Sequence, residues 1–497
     1  MNFKTMNGSG WRGTTKHFHL LHLRLSLGLF FGWMLSFAIS DPILPILEGT
    51  TKIRAFPLSL IFLLFHAAGL TLTGLFMGDL FKVRVFILPV GFTCTAAYIC
   101  LWFSNQSIWP FLIILMALSS AFLIMTWSRS YTHNIEVMNR VKFIASVIFI
   151  AALVNFIIGI ITAHFPIFLA YFFNALPLVV SILYFMKSAS IPEMDHKVNK
   201  NNLVLSPSLF ILFCTLVFGL NICGGLQYSI MVPYFNENQY FSLYFRQLPY
   251  FAALGIMIFL GHKVNKMLLV YFSTSLIGLS FIAFILFYSI AEVHGVFGYI
   301  ITETLIQLAF GFFDVFTWTL LADIAMLHKK SSRIFGIGLS ANVLALFTGG
   351  FLGVRIKTGG RDSYVITALI AVTSVLLTII LVPFLNRLIE KQLFQQVSLN
   401  DDFTSIPGNA GTSGITKVED KNLPPSLSIL VNLLETDILT PREAEIMAKV
   451  LEGLSNKAIA AKLGISDNTL KTHLKHIYGK LGISNKRDLF MLYVGSR

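Results

Sequence analysis

Residues 142–163 read KFIASVIFIAALVNFIIGIITA, a stretch in which Lys142 is the sole charged residue. The hydrocarbon core of a bilayer is about 30 Å thick, so a helix needs about 20 mostly apolar residues to cross it. A helix also satisfies its backbone hydrogen bonds within itself, which an open chain surrounded by lipid cannot do. This stretch is therefore predicted to cross a membrane as a helix.

Apolar runs of similar length fill the chain on both sides of this stretch. The eighth run is short, and only His164 and Pro166 separate the fifth run from the sixth. The pattern predicts an all-α polytopic transmembrane helix bundle of about 12 helices. The candidate spans are 23–40, 57–77, 85–103, 108–126, 142–163, 166–186, 208–232, 247–261, 267–290, 296–322, 333–354 and 364–385.

The composition separates this apolar body from a polar tail. Hydrophobic residues make up 55% of the 497 positions and charged residues only 12%, whereas soluble domains hold about 25% charged residues. Of the 61 charged residues, 25 lie in 388–497, yet the net charge of +13 belongs almost wholly to 1–387. The sequence excludes a single water-soluble domain and predicts a transmembrane domain at 1–387 followed by a soluble tail.

The distribution of Lys and Arg predicts how the body is oriented. Basic residues concentrate in the cytoplasmic loops of membrane proteins. With the N-terminus in the cytoplasm, 18 basic residues of the body fall in cytoplasmic segments and six in outer segments. Membrane lipid is thus an expected partner, and an even number of spans places the C-terminus in the cytoplasm as well.

The layout of the body resembles the major facilitator superfamily. A polar stretch at 187–207 divides the runs into six and six, and members of this superfamily pack two six-helix halves around a central cavity. Their loop signature G-x-x-x-D-R-x-G-R-K is reduced here to Gly74 followed by Asp79, Lys82 and Arg84. Because the signature belongs to the gating machinery, this departure counts against active transport.

One polar stripe lies on the tenth apolar run. Glu303, Gln307, Asp314 and Trp318 fall within about 60° of one another on a helix of 100° per residue. Charged groups are costly against lipid, so the stripe should face the bundle interior. It predicts either a ligand cavity for a cationic or hydrogen-bonding small molecule or a network that joins helices. Interhelical hydrogen bonds are predicted for most of the other polar residues in the runs, which are His66, Asn155, Asn174, Asn221, Gln227 and Asn342.

The chain shows no pattern typical of an enzyme. It lacks a phosphate-binding glycine loop, a nucleophile elbow and a set of metal ligands. The four cysteines lie in apolar runs without metal-binding spacing. We therefore expect no catalytic residue, no cofactor and no metal.

Residues 388–437 are predicted to form a flexible acidic linker. They contain the glycine-rich stretch 406–414, the pair Pro424 and Pro425, and seven acidic residues against three basic ones. Such a chain reaches about 40 Å as a random coil. A domain tethered in this way could meet DNA that passes beneath the membrane.

Helix signals return in the last sixty residues. Thr440, Pro441 and Glu443 open a first helix with a capping box and a proline at the first helical position. A second short helix ends at Gly464. Two short helices joined by a glycine turn predict a helix-turn-helix, and 486–494 is predicted to be a fourth helix. The third helix begins after the cap Ser466, and its apolar face consists of Leu470, Leu474, Ile477 and Leu481.

The tail also carries a specific order of residues, namely Leu439-Thr440-Pro441-Arg442-Glu443, Gly453, Ser455-Asn456-Lys457, Ile459-Ala460, Leu463-Gly464-Ile465-Ser466, Thr469, Lys471-Thr472-His473, Ile477 and Lys480-Leu481. In this order the sequence resembles the four-helix DNA-binding domain of LuxR-type (GerE-like) regulators. The resemblance covers the whole domain at 438–497 and departs at Ala458, where the family usually has glutamate. It implies a helix-turn-helix domain that binds double-stranded DNA.

The third helix is expected to enter the major groove. Lys471, Thr472 and Lys475 lie away from its apolar face, so they can reach the edges of bases. Lysine can donate to guanine, and threonine can contact a thymine methyl group. The resemblance implies base contacts at the same three positions.

The resemblance implies two further properties of the tail. Ser466, Thr469 and Lys457 would contact the phosphate backbone of DNA. LuxR-type domains also pair through their last helix, which implies a homodimer on DNA with Phe490 and Tyr493 near the contact.

Together these features predict a bacterial transcriptional regulator held in the cytoplasmic (inner) membrane. Its transmembrane domain would sense an unknown small molecule, and its tail would bind promoter DNA. Two alternatives stay open. The protein could be a transporter with a coupled regulatory function, or a membrane-anchored regulator that proteolysis releases.

Overall fold

The structure, a computed structural model, describes two sets of helices. Every secondary-structure element within the described residues is helical, which confirms the all-α fold class. A large apolar set ends at Asp401, and a small polar set begins at Pro441. The residues described are 8–39, 43–49, 57–76, 83–189, 205–233, 245–261, 264, 266–289, 296–328, 330–356, 362–401, 439–451, 454, 456–481 and 483.

The large set forms the transmembrane bundle. Its helices are α1 (Gly8–Met34), α2 (Leu44–Gly49), α3 (Leu58–Phe76), α4 (Val83–Phe103), α5 (Trp109–Asn134), α6 (Arg140–His164), α7 (Ile167–Ala189), α8 (Pro207–Leu226), α9 (Gln247–Leu260), α10 (Lys266–Ser289), α11 (Val296–Met326), α12 (Ser331–Ile356) and α13 (Asp362–Asp401). Within the described residues, 11 helices are long and apolar enough to cross a membrane, and α9 is a shorter apolar helix at the predicted eighth span. The chain is a multi-pass membrane protein.

Two groups of six helices make up the bundle. We call α1 and α3–α7 the N-terminal half, and α8–α13 the C-terminal half. Within the halves, α1 packs against α6 and α7, and α8 packs against α12 and α13. Between the halves, α3 packs against α12 and α6 packs against α9. On the outside, large side chains such as Phe92 and Phe259 are three-quarters exposed, as a lipid-facing surface requires.

The contact between α3 and α12 depends on two glycines. A Cβ atom at Gly336 would lie 2.6 Å from the carbonyl oxygen of Leu70, and one at Gly74 would lie 3.0 Å from the Cα of Gly336. Any side chain at these positions would push the two halves apart, so the glycines permit the close approach. Gly74, which begins the reduced loop signature, thus has a packing role between the halves.

The first helix of each half continues into a π-helical segment. These segments are Leu35–Ile39 after α1 and Gln227–Met231 after α8. π-helical turns are rare and occur mostly at functional sites. Both halves therefore depart from regular helix geometry directly after their first helix, and both segments border one cavity.

Helix α13 extends beyond its membrane span to Asp401. Gln392, near the end of the span, is buried, and its Oε1 accepts a 2.8 Å hydrogen bond from the backbone N–H of Ser206, just before α8. The linker boundary predicted at Leu388 falls inside this helix, because the residues that follow are good helix formers despite their polarity. The rest of the predicted linker, 402–437, lies outside the described residues.

The small set consists of three helices that pack against one another. They are α14 (Pro441–Leu451), α15 (Asn456–Leu463) and α16 (Asp467–Leu481). Gly464 connects the last two with a φ of 64°, a left-handed conformation that glycine adopts without steric cost. The predicted fourth helix at 486–494 lies outside the described residues. The buried core is formed by Ile446, Met447, Val450, Ile459, Leu470, Leu474 and Ile477.

Candidate functional site

A cavity of about 180 Å³ lies between the two halves of the bundle. The N-terminal half contributes residues of α1, α3, α5 and α6, and the C-terminal half contributes residues of α8, α9, α11 and α12. Both π-helical segments reach its wall, through Leu35 and Ile39 on one side and Gln227 and Tyr228 on the other. The cavity therefore contacts the helices that any relative movement of the halves must displace.

Three of the four residues predicted in the polar stripe line this cavity. Gln307, Asp314 and Trp318 are on its wall, whereas Glu303 is fully buried and is not part of the lining. Gln307 Nε2 donates to Glu303 Oε2 at 3.1 Å, and the Tyr250 hydroxyl donates to Asp314 Oδ2 at 2.6 Å. The stripe thus combines the features of both hypotheses, a polar cavity wall and a local hydrogen-bond network.

The other polar residues of the apolar runs have mixed surroundings. His66 Nδ1 lies 2.8 Å from Ser120 Oγ on α5, and Asn174 Nδ2 donates to the Trp33 carbonyl on α1 at 3.4 Å, so these two join helices as predicted. Asn221 instead donates to Val217 O within its own helix. All six except Asn174 line the cavity, a convergence that helical spacing alone does not reveal.

A second buried polar site was missed from the sequence. Asp323, at the end of α11, accepts from Arg140 Nη1 at 2.8 Å through Oδ1 and from Lys266 Nζ at 2.7 Å through Oδ2. Arg140 belongs to the N-terminal half, and the other two residues belong to the C-terminal half. Asp323 directly follows the tenth predicted run, and no pattern in the sequence indicates its partners. This ion triad therefore joins the halves. All three side chains are at most 7% exposed.

The predicted DNA contacts lie on the exposed side of the small domain. Lys471, Thr472 and Lys475 are exposed on α16, opposite its buried apolar face. Lys471 Nζ lies 3.8 Å from Asp467 Oδ2, with both side chains largely in solvent, and Thr472 Oγ1 donates to Asn468 O at 3.0 Å. The three side chains thus share one accessible surface at the N-terminal part of α16.

The residues predicted to contact phosphate surround the start of the same helix. Ser466 Oγ accepts from the Thr469 backbone N–H at 3.1 Å and lies 2.8 Å from Thr469 Oγ1, so Ser466 caps α16. Lys457 is exposed at the start of α15. A helix N-terminus attracts anions through its free N–H groups, which makes this arrangement suitable for phosphate. Phe490 and Tyr493, predicted at the dimer contact, lie outside the described residues.

The predicted capping box has the expected geometry and one additional partner. Glu443 Oε2 accepts from the Thr440 backbone N–H at 2.8 Å, and the Glu443 N–H donates to Thr440 Oγ1 at 3.3 Å. Lys480, in the last turn of α16, donates to the same Oε2 at 2.6 Å. Burial raises the pKa of Glu443, but the hydrogen bonds from Lys480 and Thr440 outweigh it and lower the pKa to about 2. Glu443 thereby ties the first helix to the third.

Comparison with known sequences identifies the small domain. The sequence profile of bacterial regulatory proteins of the luxR family matches residues 437–493. An HTH-type transcriptional regulator of Aeromonas salmonicida is 47% identical over 58 residues, which are 12% of this chain and 30% of the relative. GfsR, an HTH-type regulator of Streptomyces halstedii, is 30% identical over 113 residues, which are 21% of this chain and 42% of the relative. The chain thus matches less than half the length of these relatives.

Comparison with solved structures identifies the fold of the bundle. The human organic anion transporter MFSD10 (TETRAN) aligns with a TM-score of 0.55 at 14% identity, over 73% of this chain and 98% of the transporter. At this level of identity the similarity concerns the fold alone. The chain therefore joins a bundle of major-facilitator-like fold to a C-terminal LuxR-type helix-turn-helix DNA-binding domain.

Proposed function

We propose that this protein is a bacterial transcriptional regulator of the cytoplasmic membrane, which senses a small molecule through its bundle and binds promoter DNA through 438–497. One observation carries the proposal: a single chain holds both a LuxR-type domain and a polar cavity between two helical halves. The excess of basic residues on one side of the bundle supports cytoplasmic N- and C-termini, where the domain can reach DNA.

In this proposal the third helix of the LuxR-type domain reads the operator. Lys471, Thr472 and Lys475 contact base edges, and Ser466, Thr469 and Lys457 hold the phosphate backbone. The exposure of the first three on one face of α16 supports the assignment. A homodimer on DNA would present two such helices to two half-sites.

A ligand can act only by binding one arrangement of the halves more tightly than another. The cavity contacts both halves, and the hydrogen bond between Gln392 and Ser206 ties the extension of α13 to the start of α8. Movement of α8 relative to the N-terminal half would therefore move the segment that leads to the DNA-binding domain. This coupling would change the reach or the pairing of the tethered domains.

A promoter reporter in the native host tests the proposal. Lys471→Ala and Lys475→Ala should abolish regulation while leaving the amount of membrane-embedded protein unchanged, because base and phosphate contacts supply the DNA affinity. Lys449→Ala, on α14, is the matched control for loss of a lysine from the same domain. A chain cut after Asp401, where α13 ends, to release the domain should lose its response to small molecules. If the released domain still responded, the sensing role of the bundle would be refuted.

Transport is the second candidate function, and the major-facilitator-like fold is the observation that favours it. Uptake of radiolabelled compounds into vesicles, compared between the natural chain and Asp314→Asn, would detect it. Transport without any change in promoter activity would favour this alternative. Release by proteolysis predicts a soluble C-terminal fragment of about 12 kDa in immunoblots, cut in the linker region where exposed chains are usually nicked.

A further inference from the structure

Two amide oxygens of residues on the cavity wall lack a hydrogen-bond partner within the described part of the chain. They are Asn155 Oδ1 on α6 and Asn342 Oδ1 on α12, and each is closed off from solvent. Asn155 is only 6% exposed. Buried polar atoms normally have partners, so two unpartnered acceptors on one cavity indicate a missing donor. The two residues belong to opposite halves of the bundle, so one molecule that bonds both would bridge the halves.

Asp314 adds a third acceptor to the same wall. Tyr250 is its hydrogen-bond partner, and no Lys, Arg or His nitrogen of the described residues lies within 4.0 Å of its carboxylate. Oδ1 has no donor within the described part of the chain. A carboxylate between apolar helices without a cation is costly, so this site favours a positively charged ligand group.

The other charged group of the cavity wall, Arg246, and the Gln227 amide act on Glu303. The Arg246 guanidinium stands over the Tyr228 ring, 5.9 Å from its centre, and it acts on the charge of Glu303. The unpartnered Gln227 Nε2 belongs to an amide that neighbours the same Glu303 carboxylate. Asp314 is therefore left as the unbalanced charge of the cavity.

Aromatic rings complete the wall. Phe31 of the N-terminal half and Trp318 of the C-terminal half lie edge to face with centres 5.2 Å apart, and both line the cavity. An apolar cavity of about 150 Å³ holds one benzene ring, so a volume of about 180 Å³ suits one substituted ring. Aromatic faces also attract ammonium groups.

We infer that the cavity binds a small aromatic ammonium compound with a further hydrogen-bond donor. The ammonium group would contact Asp314, and the second donor would contact Asn155 and Asn342 across the two halves. The inference rests on the proposed sensing function for its biological meaning. The ligand chemistry itself follows from the residues of the cavity wall, where Oδ1 of Asp314, Asn155 and Asn342 are acceptors without a donor among the described residues.

Three probes of equal size separate the charge classes. Tyramine, 4-hydroxyphenethyl alcohol and 4-hydroxyphenylacetate share one phenol ring and carry a cation, a neutral hydroxyl and an anion. Calorimetry on the full chain in lipid nanodiscs should show saturable binding of tyramine, at least about tenfold tighter than that of the alcohol. Asp314→Asn should remove this preference. Asn155→Leu and Asn342→Leu should each weaken tyramine and the alcohol alike, and Asn174→Leu, a buried amide off the cavity, is the matched control.

Several results would overturn the inference. They are the absence of saturable tyramine binding, equal or tighter binding of the carboxylate, and an unchanged preference in a folded Asp314→Asn variant. If Asp314→Asn does not fold, the ranking of the three probes on the natural chain still decides. The promoter reporter separates the two proposals. A response to anions alone leaves sensing intact but refutes the ligand class, whereas tyramine binding without any reporter response supports the ligand class and refutes sensing.

Discussion

Asp314 and Asp323 lie on the same helix, α11, and their carboxylates have opposite surroundings. Both oxygens of Asp323 accept from cations, Arg140 and Lys266, and its residue is fully buried. Asp314 borders the cavity and accepts one hydrogen bond, from the neutral hydroxyl of Tyr250. Two acids in one apolar helix therefore differ in whether the protein itself supplies the counter-charge.

The difference separates a structural acid from an acid available to a ligand. Asp323 binds groups from both halves, so its pairing holds the two halves together in this arrangement. Asp314 leaves an oxygen without a donor among the described residues, and a second molecule can fill that place. Both acids lie on α11, so their roles are distinguished by the groups that each carboxylate binds.

Replacing each acid by its amide should give the largest contrast. Asp323→Asn leaves Arg140 and Lys266 buried without a counter-charge, which should lower the free energy of unfolding by about 3–5 kcal/mol. Asp314→Asn removes no ion pair and should cost about 1 kcal/mol or less. Chemical unfolding in detergent micelles, followed by tryptophan fluorescence, measures both. Equal losses in the two variants would contradict the comparison.

Removing the whole triad should cost less than removing Asp323 alone. In the triple variant Arg140→Met, Lys266→Met and Asp323→Leu, no buried charge is left uncompensated, and apolar packing replaces the ion pairs. The loss should then stay within about 2 kcal/mol of the natural chain. The carbonyl groups of Thr132 and Ile135, which accept from Arg140, lose their donors and account for the remaining cost. The same unfolding measurement checks this, and a triple variant less stable than Asp323→Asn would show that charge imbalance is not the cause.

The sequence predicted Asp314 but not Asp323, for a physical reason. Asp314 lies within an apolar run, where helical spacing aligns it with Gln307. Asp323 follows the end of that run, and its partners are 57 and 183 positions away, so local periodicity carries no signal of the pairing. Long-range pairing of this kind depends on how the helices pack.

The difference between local patterns and long-range contacts also accounts for other features that the sequence did or did not predict. The apolar runs and the LuxR-type motif are local patterns, and both are confirmed in the fold. The continuation of α13 through Leu388 follows residues that are good helix formers, and their polarity led to the prediction of a linker there. The π-helical turn at Leu35–Ile39 was not predicted.

Glu443 extends the comparison to an acid that lies outside the membrane. Its pKa is lowered to about 2 by Lys480 and Thr440, below the ordinary unfolded value of about 4.3. Its stabilising contribution is therefore complete above pH 4.3 and is lost as the pH falls toward 2. Glu443→Gln should destabilise the domain by about 1 kcal/mol at neutral pH, because Lys480 is partly exposed and water weakens the pair.

Hydrogen exchange of the α14 backbone in the full chain measures this effect. Exchange in the natural chain should accelerate relative to Glu443→Gln as the pH falls from 5 to about 2, until the two converge. Glu445→Gln is the matched control, since Glu445 pairs with Arg442 on the surface and both side chains are more than 40% exposed. A constant difference between natural chain and Glu443→Gln across this pH range would contradict the assignment.

Tyr250→Phe should have the smallest effect, because it removes only the neutral partner of Asp314. The cavity lets water take the place of the lost hydroxyl, so the free energy of unfolding should fall by about 0.5–1 kcal/mol. Tyr131→Phe is the matched control, since the Tyr131 hydroxyl is buried without a hydrogen-bond partner in the described residues and its loss should be neutral or stabilising. Unfolding in micelles measures both variants. If Tyr250→Phe lowered the free energy of unfolding by several kcal/mol, the partner of Asp314 would be as important for folding as the partners of Asp323. The distinction between the two acids would then fail.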